Sequence, residues 1–471
     1  MVSWGKIIAA LLFSWAVSAV PLQAAGWSQV NENGFGNPKN DFIRTMAIYG
    51  SNLVLGIRNA ATGAELWEYD GASFARIDGS LMNPSNVEIN SMAVLGDALI
   101  VATWNATNGF EIWTYKDKIF SLSEQGGLGD PHNIGATSMV MFNGRIYLGT
   151  SNSITGTEIW SFDGHSWTQV NADGFGKAGN AATFSLAPYG SRLLVGTWSL
   201  IEGEPAQVWS YDGSQWTQIN EDGFGNSDNV AVFSLAVYRD ILYAGVFNKH
   251  SGAEMWSYDG SQWTQINANG FGDSDNVAVF SLAVFNDILY AGTWNTAGGT
   301  QIWSFAGSGW NLAGMAGFGD KGNVNTQNMT VFRNTLYVGT ENSVSGAELW
   351  ALQPPLGTRG TGSGGSCFIA TAAFGSPMMG QVEILRQFRD RYLLTNAIGK
   401  KFVSWYYRNG NVIASYIEYR PLAKAAVRLA LYPLIGFSFL LISGYLPFVI
   451  VGLFLFKFLF FRFRPKKLSA Q

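Results

Sequence analysis

Cysteine is nearly absent from this sequence: among 471 residues there is one, Cys367. A single thiol closes no intramolecular disulfide, so the fold must stand on burial alone. A long repeat array manages that, because the buried fraction of surface rises with size. Charge is also scarce, with only 13% of residues Asp, Glu, Lys or Arg, and it is unevenly placed. From Cys367 onward there are 14 Lys/Arg against three acids, whereas the preceding sequence has 15 Lys/Arg against 30 acids. The acidic front argues against nucleic acid as a partner. The basic tail beside apolar sequence suits an anionic membrane surface. Histidine is limited to His132, His165 and His250, and none has metal-ligand spacing. Asp222, Asn226 and Asp228 do not match the spacing of an oxygen-rich calcium loop. Nucleophile elbow, phosphate loop and dinucleotide fingerprint are missing. No catalytic residue, metal or cofactor is therefore expected, and the chain reads as a non-enzyme.

What is plentiful is glycine (56 residues) and tryptophan (18), a composition of short strands and turns. The tryptophans keep a period. Glu65-Leu66-Trp67, Glu111-Ile112-Trp113, Glu158-Ile159-Trp160, Gln207-Val208-Trp209, Glu254-Met255-Trp256, Gln301-Ile302-Trp303 and Glu348-Leu349-Trp350 recur at intervals of 46, 47, 49, 47, 47 and 47. Each repeat holds four strand-like runs, for example Ser281–Phe285, Ile288–Thr293, Thr300–Phe305 and Gly309–Leu312. Four strands every 40–50 residues is the pattern of propeller blades. Asp70-Gly71, Asp163-Gly164, Asp212-Gly213 and Asp259-Gly260 predict two-residue hairpin turns between the third and fourth strands. Gly-Phe-Gly triplets at 34–36, 174–176, 223–225, 270–272 and 317–319 supply tight corners. The second repeat has Gly79-Ser80-Leu81 instead, and the third Gly127-Leu128-Gly129.

The ends decide between a ring and an open stack. The fourth-strand aromatic occurs as Trp27, Phe74, Phe120, Trp167, Trp216, Trp263 and Trp310. Trp27 precedes any complete repeat, and the last repeat stops at Leu352 without a fourth strand of its own. Pairing Trp27–Val30 with that last repeat hides an open sheet edge. The expectation is an all-β, seven-bladed β-propeller of four-stranded blades over residues 26–352, closed by the N-terminal strand.

Flanking segments carry other signals. Lys6, the apolar run Ile7–Val20 and the small residues through Ala25 read as a signal peptide over residues 1–25. A Gly/Ser-rich linker covers 353–366. A helical region with a basic face comes next, over 367–428. Residues 429–461 hold a single charge, Lys457, and exceed the roughly 20 residues a span needs. A basic tail, 462–471, adjoins this stretch and suits the cytoplasmic side, which favours one span over a hairpin broken near Pro447. The propeller is thus expected outside the cytoplasm, with the membrane as partner of the C-terminal segment.

Cys367-Phe368-Ile369-Ala370-Thr371-Ala372-Ala373, then Leu385-Arg386-Gln387-Phe388-Arg389-Asp390, then Phe402-Val403 with Tyr406-Tyr407, resemble the bacterial CFI-box C-terminal domain over residues 367–443. Phe374 stands where that family usually has Tyr. The resemblance implies a C-terminal module of surface or envelope proteins. The repeats are similar to those of bacterial exported propellers with Gly-Phe-Gly loops. Cys367 is a candidate for lipidation or processing, against a free thiol packed on short helices.

Loops after the second and fourth strands of a blade share one face, the usual place for binding on a rigid scaffold. Trp104, Asn105, Trp198, Asn248, Trp294 and Asn295 lie there and are the candidate ligand-binding residues. Aromatic rings beside amides suit a polysaccharide: the ring covers the sugar's C–H face and the amide takes hydroxyls. The competing reading has the asparagines capping turns and the tryptophans packed between blades. The acids of the repeat recur in place, which points to a shared structural bond. The chain therefore reads as a binding or scaffolding module for a polysaccharide or envelope protein. An exported glycan hydrolase or lyase, with His250 beside carboxylates, and a purely structural spacer are the alternatives.

Overall fold

The computed structural model describes residues 26–77, 83–201 and 204–352, and in the tail only Val427 and Leu431. The chain divides into two compact units, Met1–Pro354 and Pro355–Gln471, and the repeats belong to the first. The expected signal peptide, linker, CFI-box region with Cys367, apolar segment and basic tail lie outside the described residues, those two tail positions apart, as does the Gly79-Ser80-Leu81 corner. Among the described residues no helix is long and apolar enough to cross a membrane.

The fold is all-β, with strands joined into a 12-stranded and a 16-stranded sheet. Within these, strands pair antiparallel in groups of four that match the sequence repeat. The first group is Phe42–Tyr49, Asn52–Arg58, Glu65–Tyr69 and Phe74–Ile77. Later groups open at Glu88, Gly135, Asn180, Ala231 and Ala278. The last has Asn325–Phe332, Thr335–Glu341 and Leu349–Leu352, and Leu349–Leu352 pairs with the N-terminal strand Trp27–Gln29 through Trp27↔Leu352, Ser28↔Ala351 and Gln29↔Trp350. The first strand of each group packs on the first strands of its two neighbours. Phe42–Tyr49 packs on Asn325–Phe332, so these contacts run in a cycle. The architecture is propeller-like.

Burial explains the strand patterns. In Asn52–Arg58 the five middle residues are all buried, because neighbouring groups cover both faces. The core accordingly lies in layers between groups. Ile43, Leu55 and Ile57 of the first group pack with Phe332, Tyr337 and Leu349 of the last. Val54 and Leu66 pack with Ile89, Val101 and Trp113 of the next.

The Gly-Phe-Gly corners hold both the first glycine and the phenylalanine in the left-handed region; Gly223 has φ 60° and Phe224 φ 58°. For a bulky residue that backbone costs about 1–2 kcal/mol. The ring's packing offsets it: Phe224 stacks on Trp256 at 4.9 Å and meets Trp263 edge-on at 5.0 Å. The Asp-Gly turns differ from the two-residue form expected. Tyr258 pairs with Trp263, leaving four residues in the loop. The Asp259 carboxylate accepts from the backbone N–H of Ser261 and Gln262, and Gly260 alone takes positive φ. Two-residue turns occur instead between first and second strands, where Arg239-Asp240 and Asn286-Asp287 carry positive φ without glycine.

Candidate functional site

The recurring markers form an internal scaffold. In the fifth group Asn248 Nδ2 donates to Asn229 Oδ1 (2.9 Å), Asn229 Nδ2 donates to Glu254 Oε2 (2.7 Å), and Trp256 Nε1 donates to the same oxygen (2.9 Å). The chain repeats through Asn105, Asn86, Glu111 and Trp113, and through Asn295, Asn276, Gln301 and Trp303. Asn105, Asn248 and Asn295 are 0% exposed. Their side-chain oxygens accept two backbone N–H groups each, from Thr107 and Asn108, His250 and Ser251, and Ala297 and Gly298. These amides are spent on their own loops, which corrects their expected place on a ligand face.

The tryptophans lie elsewhere. At or next to its end, each second strand pairs with the opening residues of the first strands, and the residues there are Arg58, Trp104, Ser151, Trp198, Phe247, Trp294 and Glu341. Trp198 and Trp294 join one aromatic cluster with Phe184, Phe233, Phe247 and Phe280. Phe233 stacks on Phe280 at 4.2 Å, Phe247 on Trp294 at 5.8 Å, and Phe184 lies 5.5 Å from Trp198. Trp104 is separate; its ring covers Gly135, where an added Cβ would overlap Cε3.

Opposite the aromatic half is a polar one. Arg58 pairs with Asp41 and Glu341, both at 2.8 Å. Arg44 lies 2.5 Å from Glu88, donates from Nε to Asn90 Oδ1 (2.9 Å), and reaches the Phe184 ring at 5.3 Å. That last contact joins the first group to the fourth. Below this rim a cavity of about 240 Å³ is lined by the first strands of all the groups. Arg44, Asn90 and Gln327 face Phe184, Phe233 and Phe280 around it. The next residue is anchored in place: Ser91, Ser185 and Ser234 Oγ donate to the carbonyls of Ala136, Val232 and Val279 in the adjacent group.

Burial dominates the electrostatics. It pushes the Glu88 carboxyl up, against the pull of Arg44. It likewise presses Arg44 down, against Glu88. Burial also works to lower Arg58, but hydrogen bonding to Asp41 and the charge of Glu341 leave it raised. Three polar atoms near the bore are buried with no hydrogen-bond partner: Asn90 Nδ2, Asn325 Oδ1 and Gln327 Oε1. His250 does not line the cavity; the carboxylates of the rim are Asp41, Glu88 and Glu341. Among the described residues no cluster of three His, Cys, Asp or Glu is placed to hold a metal ion.

No family model matches the chain, and no curated protein matches it. Solved structures resemble it at low identity. The extracellular domain of a hybrid two-component system from B. thetaiotaomicron is 14% identical with a TM-score of 0.48, over 70% of this chain and 42% of that one. This chain thus spans less than half of that protein. YCF48 from Cyanidioschyzon merolae is 11% identical with a TM-score of 0.46, over 70% of this chain and 99% of that one. A chain of the mitotic checkpoint complex is 13% identical with a TM-score of 0.47, over 70% and 96%.

The lining residues Arg44, Asn90, Phe184, Phe233, Phe280 and Gln327 escape a reading based on loops, because they sit inside strands. Their signal is variation. Each precedes Thr45, Ser91, Ser185, Ser234, Ser281 or Asn328 at the repeat interval, in a position whose neighbours keep their type while it changes from guanidinium to amide to phenyl.

Proposed function

We propose that the chain is a seven-bladed β-propeller, exported and held at the membrane by its tail, that binds or scaffolds a polysaccharide or protein outside the cytoplasm without catalysis. The cyclic packing of first strands and the pairing of Trp27 with Leu352 support a closed ring. The observation that carries the binding role is the divided mouth: Trp198, Phe247 and Trp294 on one side, and the ion-paired Arg58 and Glu341 on the other. Half-buried aromatic surface beside fixed polar groups is the common make-up of a recognition site. Lys6 with Ile7–Val20 supports export, and the apolar stretch 429–461 with its basic flank supports anchoring. The CFI-box-like residues 367–443 fit the same location.

Fractionation of cells carrying an epitope after Gln471 tests the placement: the tag should sit in the membrane fraction and resist external protease, and a soluble tag would refute it. Retention of the purified full chain on envelope polysaccharide or envelope protein tests the role. The double variant Trp198→Ala, Trp294→Ala should release the partner, and undiminished retention would refute the mouth as the contact.

A further inference from the structure

We infer that the outer strand Ile119–Glu124 of the second group pairs edge to edge with the same strand of a second copy of this chain. The strand ends the 16-stranded sheet: it pairs with Ile112–Lys116 on one side and with no strand among the described residues on the other. It is six residues long, whereas the fourth strands elsewhere hold three or four. Sheet edges are normally kept short or charged, because their open N–H and C=O groups recruit another strand. The side chains differ as well. Ile119 and Leu122 are 67% and 44% exposed. Leu122 lies opposite Trp113, the place that Gln169, Gln218 and Gln265 take opposite Trp160, Trp209 and Trp256. Those three amides turn back to Asp173, Asp222 and Asn269 of their own groups. In the second group an exposed apolar side chain replaces that polar bracket.

Hydrogen-bond alternation fixes what this edge offers. Asp117 and Lys118 form a two-residue turn with positive φ at both, so Lys116 and Ile119 exchange backbone bonds. Ser121 then bonds inward to Thr114, and the N–H and C=O of Phe120 and Leu122 point outward. A second copy matches this set when it runs antiparallel about Ser121, with Phe120 of each copy opposite Leu122 of the other. That register brings Lys118 against Glu124 at both ends. Both residues are exposed, and neither has an ion-pair partner among the described residues, Lys116 being taken by Asp97 at 2.7 Å. Neighbouring registers fail. A slip of one residue sets outward groups against inward ones. A slip of two sets Lys118 against Leu122 or Glu124 against Phe120, and parallel pairing sets Lys118 against itself. The bulge at Ser123 lies beyond Leu122 and leaves the register of Ile119–Leu122 unbroken. Self-complementarity is what a two-fold interface requires, so the charges favour a second copy over an unrelated strand. This contact is independent of what the mouth of the bore binds and can fail without that reading failing.

The test uses the detergent-purified full chain carrying Cys367→Ser, so that any thiol is an introduced one. Ser121 of the two copies meet in a non-hydrogen-bonded pair, where Cα atoms lie about 4.5 Å apart, within disulfide range. The two copies of Ile119 are four residues apart along the strands, about 14 Å. Ser121→Cys should therefore oxidise to a covalent dimer at least about tenfold faster than Ile119→Cys. Sedimentation equilibrium reads the dissociation constant of the dimer without a cross-link. Lys118→Glu alone and Glu124→Lys alone place like charges at both ends and should each raise it by about fivefold or more. The double reversal restores opposite charges and should return within about threefold of the parent. Leu122→Pro removes an N–H that bonds nothing in its own group, so it should abolish the dimer while the unfolding midpoint stays near the parent's. Equal oxidation of the two cysteines, a double reversal no better than the single ones, or a monomer at every concentration overturns the inference. A dimer unchanged by Leu122→Pro is held by other surfaces and also overturns it. Capture of a different protein by Ser121→Cys in cells, in place of a second copy, overturns it too.

Discussion

Replacing Trp27 with alanine probes whether the two ends of the described chain depend on each other. Trp27 sits in the N-terminal strand, yet its Nε1 donates to Ala313 O at 2.7 Å and its ring meets Phe318 edge-on at 5.3 Å. Both partners are almost 300 residues away in sequence. The lost hydrogen bond is worth about 1 kcal/mol. The aromatic pair adds about 1 kcal/mol, and burial of the partly buried indole about 2 kcal/mol. The variant should therefore lose about 4 kcal/mol. Trp263→Ala is the internal control. Trp263 makes the same bond, to Ile219 O at 2.9 Å, and the same edge contact, to Phe224, but also stacks on Tyr258 at 4.9 Å. Its loss should be about 5 kcal/mol by the same accounting. Guanidinium unfolding of the full chain, monitored by tryptophan fluorescence, gives both values on one scale. A Trp27→Ala midpoint matching the parent, while Trp263→Ala falls, would show that the terminal strand is a passive addition and refute the closing role.

Glu254→Ala should cost about 3–5 kcal/mol, since it strips the acceptor from Asn229 and Trp256. Glu254→Gln should cost about 1 kcal/mol, because Gln301 already serves Asn276 and Trp303 in the same place; thermal unfolding separates the two. Phe224→Gly should be no less stable than Phe224→Ala despite its smaller side chain, because glycine relieves the φ of 58°; a lower melting temperature for the glycine variant would contradict this. Asp212 is pulled down to about 2 from 3.8 by the backbone N–H groups of Gln215 and Ser214. Its cap therefore stabilises the turn above the unfolded value of 3.8 and is lost as pH falls toward 2. A carboxyl carbon NMR titration checks this, and a midpoint near 3.8 counts against it. Gly135→Ala should displace the Trp104 ring, visible as a shifted indole N–H resonance, because the new methyl would overlap Cε3.

The repeat was readable because its markers are structural. Glu254 and Trp256 recur for the sake of a hydrogen bond made in their own group, so period and architecture appear together in the sequence. The pairing of Trp27 with Leu352 comes from a surplus aromatic at one end and a missing strand at the other. The site was less legible. Asn105, Asn248 and Asn295 looked like ligand amides because loop asparagines are so often exposed; the glycine four residues on, Gly109, Gly252 and Gly299, marks the closed loop that buries them. Arg44 and Asn90 were hidden for the opposite reason. They interrupt apolar strands, and only the arrangement of the first strands reveals that these positions border a bore rather than a core. The two-residue turn at Arg239-Asp240 carries no glycine, so turn chemistry alone did not flag it.

The serine hydroxyls of Ser91, Ser185 and Ser234, which clip their first strands to a carbonyl of the next group, hold the backbone without help from the residue just before them. That residue is free to be Asn90, Phe184 or Phe233 with no change in how the wall is built. The molecule thus separates its frame from its vocabulary. Exchanging Asn90 with Phe233 would shift the apolar side of the opening about its axis while the serine fastenings stay where they are, with no loop to redesign.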